Sequence, residues 1–278
     1  MRQYKKLISL ALLIVFTSAL MGCNIWDSAQ IKLGMKNQDF DYIIDENVDK
    51  IIIQSARDPG FRFIVTDTSA INDIYDILKK GKIKDEKTSL DPDYVLEVYI
   101  GDEVRKYQYI VNVDEKGVGN FYDEDNIYDI SNNLDETITE NLSFIRRPKN
   151  FQDIYYNSII EVLKKKKDEL TDSDHKVGID IAGDVDCQKY MFSVDLMYFQ
   201  DKTKSIIPNI ALVNNNASEF DTIVTVKNGG YSTKEFKTTI TVDNQKDKVY
   251  ETYYVSGSYE YKNWKITVSE PNKKPDNW

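Results

Sequence analysis

Residues 90–113 read Leu-Asp-Pro-Asp-Tyr-Val-Leu-Glu-Val-Tyr-Ile-Gly-Asp-Glu-Val-Arg-Lys-Tyr-Gln-Tyr-Ile-Val-Asn-Val, and this stretch sets the architecture. Asp91-Pro92-Asp93 turns the chain into a strand over 94–100, Gly101-Asp102 supplies a hairpin turn, and 106–113 returns. Upstream, 50–54 is a short apolar strand and Asp58-Pro59-Gly60 a turn. Phe61, Phe63 and Val65 then alternate with Arg62, Ile64 and Thr66, as in a strand with one buried face. Ser69 is placed to cap a helix carrying Ile71, Ile74, Ile77 and Leu78 on one stripe, with Gly81 ending it. Downstream, 126–130 reads as a last short strand. Asn132 or Asn133 then caps a helix with Leu134, Ile138, Leu142 and Ile145 on one face. The order β-β-α-β-β-β-α implies an antiparallel sheet with helices on one face.

Several of these residues carry a family resemblance. They are the opening strand, Asp58-Pro59-Gly60-Phe61, the helix over 70–80 and Leu90-Asp91-Pro92-Asp93-Tyr94-Val95-Leu96-Glu97-Val98. Gly119-Asn120-Phe121-Tyr122 and Asn126-Ile127-Tyr128-Asp129-Ile130-Ser131 come after them in the same order. Together they resemble the YhfM-like domain of small lipoproteins from Gram-positive bacteria, over residues 47–145. The resemblance implies a fold and a location, and no mechanism.

Pro148, following Arg146-Arg147, disfavours helix at the residue before it and marks a boundary. A helix is expected over 150–170, with Phe151, Ile154, Tyr155, Ile159, Val162 and Leu163 on its apolar face and Lys164 to Lys167 as a solvated end. From Val177 onward the pattern predicts strands over 177–181, 189–199, 221–226, 234–242, 248–259 and 263–268. Asn228-Gly229-Gly230 and residues 243–247 are the turns. The predicted fold class is α+β: two small domains, each an antiparallel sheet packed with one or two helices. In outline the second half is similar to nuclear transport factor 2-like folds, which curl a sheet around helices into a cone, although it shows one leading helix where such folds have more.

The N-terminus bears on location. Arg2, Lys5 and Lys6 precede an apolar run over 7–21, ending in Leu20-Met21-Gly22-Cys23. Charged start, apolar run and small-residue end are the parts of an export signal, and about 15 apolar residues fall short of the ~20 that span a membrane. Leu20, Met21, Gly22 and Cys23 look like a bacterial lipobox, in which the peptidase cuts before a Cys that carries diacylglycerol. The expected division is therefore a signal peptide over 1–22, a tether over 23–46, an α+β domain over 47–148, a helix-plus-meander domain over 149–270 and a tail over 271–278. Membrane lipid on Cys23 is the first expected partner. The location expected is the outer face of the cell membrane.

Composition narrows the rest. The 278 residues hold 36 Lys+Arg against 46 Asp+Glu, one His and two Cys. A net charge of −10 argues against nucleic acid as a partner. Three of the cations and none of the acids precede Cys23, so a chain starting there carries 33 against 46, or −13. Two Cys and one His exclude thiolate zinc and multi-histidine sites. Cys187 reads as buried and unreactive, with Asp180, Asp184 and Asp186 close in sequence.

No nucleophile elbow, phosphate loop, zincin or dinucleotide motif is present, and no catalytic residue, cofactor or metal ligand is assigned. His175 sits in a polar stretch and reads as a solvent-exposed loop residue. Asp123-Glu124-Asp125 and Asp180, Asp184 and Asp186 read as solvated turns, and no acid stands in an apolar setting. Tyr253, Tyr259, Tyr261 and Trp264 are the candidate ligand-facing aromatics. Tyr253, Tyr259 and Tyr261 share strand parity unless a bulge at Gly257 breaks it, Trp264 lies close by, and the structural reading of all four is cross-strand packing. The functional expectation is a non-enzymatic binding protein of the cell envelope with an envelope protein as partner. The alternatives are a small-ligand or glycan binder with a C-terminal cone and, last, a carboxylate-based hydrolase.

Overall fold

The computed structural model describes residues 36–46, 48–140, 147–171, 174–276 and 278. The signal segment with Leu20 to Cys23, most of the tether, and Leu142 and Ile145 lie outside these. Two α+β units succeed one another along the chain, each with its own buried cluster.

The first unit runs α1 (Tyr42–Asp45), β1 (Lys50–Ser55), β2 (Arg62–Val65), α2 (Thr68–Leu78), β3 (Lys82–Ile83), β4 (Glu86–Lys87), β5 (Tyr94–Ile100), β6 (Glu103–Tyr109), β7 (Val118–Gly119), β8 (Phe121–Tyr122), β9 (Ile127–Asp129) and α3 (Asn133–Glu140). Seven strands pair antiparallel in the order β2-β1-β5-β6-β8-β9-β3. The decisive hairpin forms as read: Tyr94 pairs with Tyr109 and Ile100 with Glu103. Gly101 at φ +56° takes the left-handed turn conformation. Tyr94, Leu96 and Val98 face inward with Ile51 and Ile53, and α2 lays Ile71, Ile74 and Leu78 over them. Asp67, rather than Ser69, caps α2: its Oδ1 accepts from the Ala70 N–H at 3.0 Å.

The ordered body begins earlier than a tether ending at residue 46 allows. Phe40 is fully buried, with ring centroids 4.8–5.9 Å from Tyr107, Phe121 and Tyr128. Tyr42 and Ile43 are buried beside it.

The second unit runs α4 (Phe151–Lys165), α5 (Lys167–Leu170), β10 (Val177–Asp180), α6 (Val185–Gln188), α7 (Ser193–Lys204), β11 (Ile210–Leu212), a 3₁₀ turn over Ala217–Glu219, β12 (Thr222–Tyr231), β13 (Glu235–Asn244), β14 (Val249–Glu260) and β15 (Asn263–Val268). Its sheet has the order β11-β10-β12-β13-β14-β15 and is mixed: β10 is parallel to β11 and to β12, and β12–β15 form an antiparallel meander. Most of the predicted strand over 189–199 is instead the start of α7. Parallel neighbours need a crossover, and α6 and α7 provide it between β10 and β11.

Asn228-Gly229-Gly230 is not a turn but a register shift inside β12. Gly257 is not a bulge either, since its pairing with Phe236 and Ile266 is continuous. A Cβ there would stand 2.4 Å from Ile154 Cδ1 and 3.2 Å from Trp264 Cε3, so glycine is what lets α4 lie close on the sheet.

The predicted face of α4 does bury. Phe151, Ile154, Tyr155, Ile159, Val162 and Leu163 pack against Phe236, Ile240, Tyr253 and Val255. The space between helix and sheet is thus filled with side chains, where a cone would be open. The lysine run is not wholly solvated: Lys166 is buried and pairs with Glu169 and, at 2.8 Å, with Glu251.

Candidate functional site

The two units meet at the turn that precedes β5. Asp93 has no exposed side-chain surface and accepts four contacts: Oδ1 from Arg57 Nη1 at 2.6 Å and the Ser193 N–H at 2.8 Å, Oδ2 from the Val111 N–H at 2.9 Å, and its carbonyl from the Ala56 N–H at 2.8 Å. Arg57 Nη1 also reaches the Met191 carbonyl at 3.2 Å and Nη2 the Ser193 Oγ at 2.5 Å; that hydroxyl donates to the Asp91 carbonyl at 2.6 Å. Beside them Phe192 of the second unit enters the first core, 6.0 Å from the Tyr94 ring. A buried carboxylate met only by donors is held as an anion. Its pKa is raised by burial, a rise that Arg57 and the two N–H groups oppose without cancelling.

Two further carboxyls stand near Asp93, one from each unit. Asp135 on α3 is pushed up to about 6 by burial, with Asp93, Glu136 and Asp195 adding to the rise and Arg147 opposing it. Asp195 on α7 is also pushed up to about 6, by burial and by Asp93, against Gln152 and Arg57. Asp135 Oδ1 and Asp195 Oδ2 are buried without a hydrogen-bond partner. Acids in low-dielectric settings thus exist, contrary to expectation. The sequence shows Asp135 and Asp195 only as ordinary acids in first helical turns.

A cleft of about 710 Å³ opens along this junction. The first unit contributes Arg57 and residues 89–91; the second contributes α7, the turns after β10, and the C-terminal end of β11. The crevice outside the carboxyl ends of parallel strands is where open α/β sheets bind ligands. Leu90, Met191, Leu196 and Met197 give it an apolar surface; Gln200, Asn214 and Lys204 give polar groups. Asp135 and Asp195 are not among the residues that line it.

The candidate aromatics do not form one binding row. Tyr253 is buried and donates to Glu251 at 2.8 Å. Tyr259 and Trp264 are cross-strand partners with rings 5.3 Å apart, and the Trp264 Nε1–H donates to the Lys149 carbonyl at 2.7 Å. Tyr261 is 95% exposed in the β14–β15 turn at φ +50°. Strand parity holds up to Tyr259, but inward parity at 253 means core.

His175 is not an exposed loop residue: it is 3% exposed, with Nε2 2.7 Å from Thr222 Oγ1. Cys187 is a buried free thiol. Burial and then Asp184 push its pKa far above the ordinary range, which leaves no thiolate to react. Asp184 is itself buried, taking the Tyr155 hydroxyl at 3.0 Å and the Asn228 N–H at 3.1 Å, so it is not part of a solvated turn. Asp123 does shape a turn, its Oδ1 accepting from the N–H groups of Asp125 and Asn126. Among the described residues no group of three or more His, Cys, Asp or Glu is arranged to hold a metal ion, and no helix is long and apolar enough to cross a membrane.

The Asp91-Pro92-Asp93-Tyr94 turn and the hairpin behind it form where the sequence reading places them. Residues 44–148 match the family model described as YhfM protein. The match covers the first unit from Ile44 on and stops at the boundary Pro148, so Asp93 and Arg57 belong to the YhfM unit and Ser193 to the second unit. The similarity of the second unit to nuclear transport factor 2-like folds is not confirmed. No curated protein and no solved structure matches the chain.

Proposed function

We propose that this chain is a lipid-anchored lipoprotein of the outer membrane face, held through diacylglyceryl Cys23, which acts by binding an envelope protein and not by catalysis. The observation that carries the binding part is the cleft: both units build it, and a buried ion pair at its edge fixes their relation. A rigid frame around a mixed apolar and amide-lined groove suits recognition. The hydrolase reading draws on Asp135 and Asp195, but these lie outside the cleft lining, and one oxygen of each carboxyl is buried.

The test is crosslinking of the full-length lipoprotein in its own membranes, beside Cys23→Ala and Met197→Arg. Expected are a captured protein that Met197→Arg loses and a shift of Cys23→Ala out of the detergent phase. Detergent partitioning unchanged by Cys23→Ala would overturn the anchor; capture unchanged by Met197→Arg would overturn the cleft.

A further inference from the structure

The cleft has a length, an open strand edge and a repeating wall, and these narrow what it can hold. Ser193, Leu196, Met197, Gln200, Asp201 and Lys204 all line it, at spacings of three and four residues, so one stripe of α7 forms one wall. From Ser193 to Lys204 that stripe rises about 16 Å at 1.5 Å per residue. An extended chain covers the same distance in about five residues.

A second part of the lining is the end of β11, the outermost strand of its sheet. The Val177 N–H donates to the Asn209 carbonyl at 3.0 Å, and the Val213 N–H to the Ile179 carbonyl at 2.9 Å. Backbone groups alternate in direction along a strand, so residues 209, 211 and 213 serve β10, and 210, 212 and 214 face away from it. Ile210 is buried, whereas Leu212 and Val213 are partly exposed and Asn214 is exposed; these last three line the cleft. The Asn214 N–H is already taken by Asn216 Oδ1 at 2.9 Å. The N–H and C=O of Leu212 and the C=O of Asn214 are therefore the main-chain groups at this end of β11 that point away from β10. Such an edge is a template for another strand.

We infer that the cleft takes an extended peptide segment of about five residues, which pairs with the outer edge of β11 at Leu212 and turns alternate apolar side chains onto Leu196 and Met197. This rests on the binding reading above and names the form of its ligand. Gln200 on α7 supplies a donor and an acceptor to the far side of the peptide backbone. Lys204 and Asp201 at one end of the stripe and Arg57 and Asp91 at the other give both ends mixed charge, so neither end selects a strongly charged segment.

The probe is the blocked pentapeptide acetyl-Ser-Val-Gln-Val-Ser-amide, titrated by isothermal calorimetry into the chain spanning residues 24–278. Two N-methylated forms accompany it, one modified at the first, third and fifth residues and one at the second and fourth. Only one of these sets removes the N–H groups that face β11. Strand pairing predicts that one form weakens by about tenfold or more while the other binds like the parent. It also predicts that Met197→Arg, at an exposed position, abolishes binding without lowering the Tm. Failure of the parent to bind at millimolar concentration, or equal binding by both methylated forms, would overturn the inference. Either result beside a cleft-dependent partner in the membrane crosslinking would sink the strand-pairing reading alone. Loss of both would sink the binding reading with it.

Discussion

Asp93→Asn isolates the clasp between the units. The substitution keeps the volume but replaces an oxygen that meets only donors with an amide that donates. One of its contacts, from Arg57, the Ser193 N–H or the Val111 N–H, then becomes donor against donor, and the guanidinium loses its counter-charge. Removing one member of a buried pair costs about 3–5 kcal/mol. Arg57 keeps 20% of its side-chain surface, so it regains some water and the lower end, about 3 kcal/mol, is expected. For a chain of this size that is a fall of about 6–12 °C in Tm. Calorimetry gives the shift, and hydrogen exchange adds a local readout: the Ser193 and Val111 amides should lose protection before the centre of either sheet. In a double-mutant cycle with Arg57→Met, the double variant should cost less than the two singles together by about 1–3 kcal/mol. A Tm within about 2 °C of the parent, or strict additivity, would refute the view that this pair holds the units together.

The raised pKa values of Asp135 and Asp195 set a pH dependence. The native state holds more protons than the unfolded chain between the ordinary carboxyl value, near 3.9, and about 6, so stability falls as pH rises through that window and levels off above it. Allowing for partial exposure, each contributes about 1–2 kcal/mol. Asp135→Asn should flatten the slope in urea melts from pH 4.5 to 7, and an unchanged slope would count against the assignment. Glu97, Glu251 and Asp221 have lowered values and act in the opposite sense below that window. Gly257→Ala drives a methyl group into Ile154 and should cost about 1–3 kcal/mol in denaturant titrations; a neutral result would mean that α4 can lift away. In a Cys23→Ala background Cys187 should react with thiol reagents only after unfolding, so labelling of the native protein at pH 8 would contradict its burial.

The first sheet is legible in the sequence because its signals are local. Alternation at 94, 96 and 98 and the Gly101-Asp102 turn fix strand, face and register together. The second unit hides its topology in one short element. Without β11, whose three residues carry little pattern, β10 has no visible parallel partner and no crossover is called for. The apolar positions 190, 192 and 194 then read as alternation in a strand. The chain enters a helix there because Ser193 and Phe192 dock onto the YhfM unit, a long-range demand that no window of sequence contains. Asp93 is visible as part of a motif, but its partners are 36 and 100 residues away, so the motif marks a turn and not a junction. His175 misleads for the same reason: its polar neighbours are local, and Thr222 is 47 residues off.

The burial of Phe40 has a geometric consequence for the anchoring proposed at Cys23. Seated among Tyr107, Phe121 and Tyr128, it fixes where the folded body takes hold of the chain. Only residues 24–39 then separate it from Cys23. Even a fully drawn-out backbone extends no more than about 3.6 Å per residue, so this leash measures at most about 60 Å. A lipid on Cys23 would thus confine the body to a band of that height above the bilayer. Whatever enters the cleft would have to meet the body within that band.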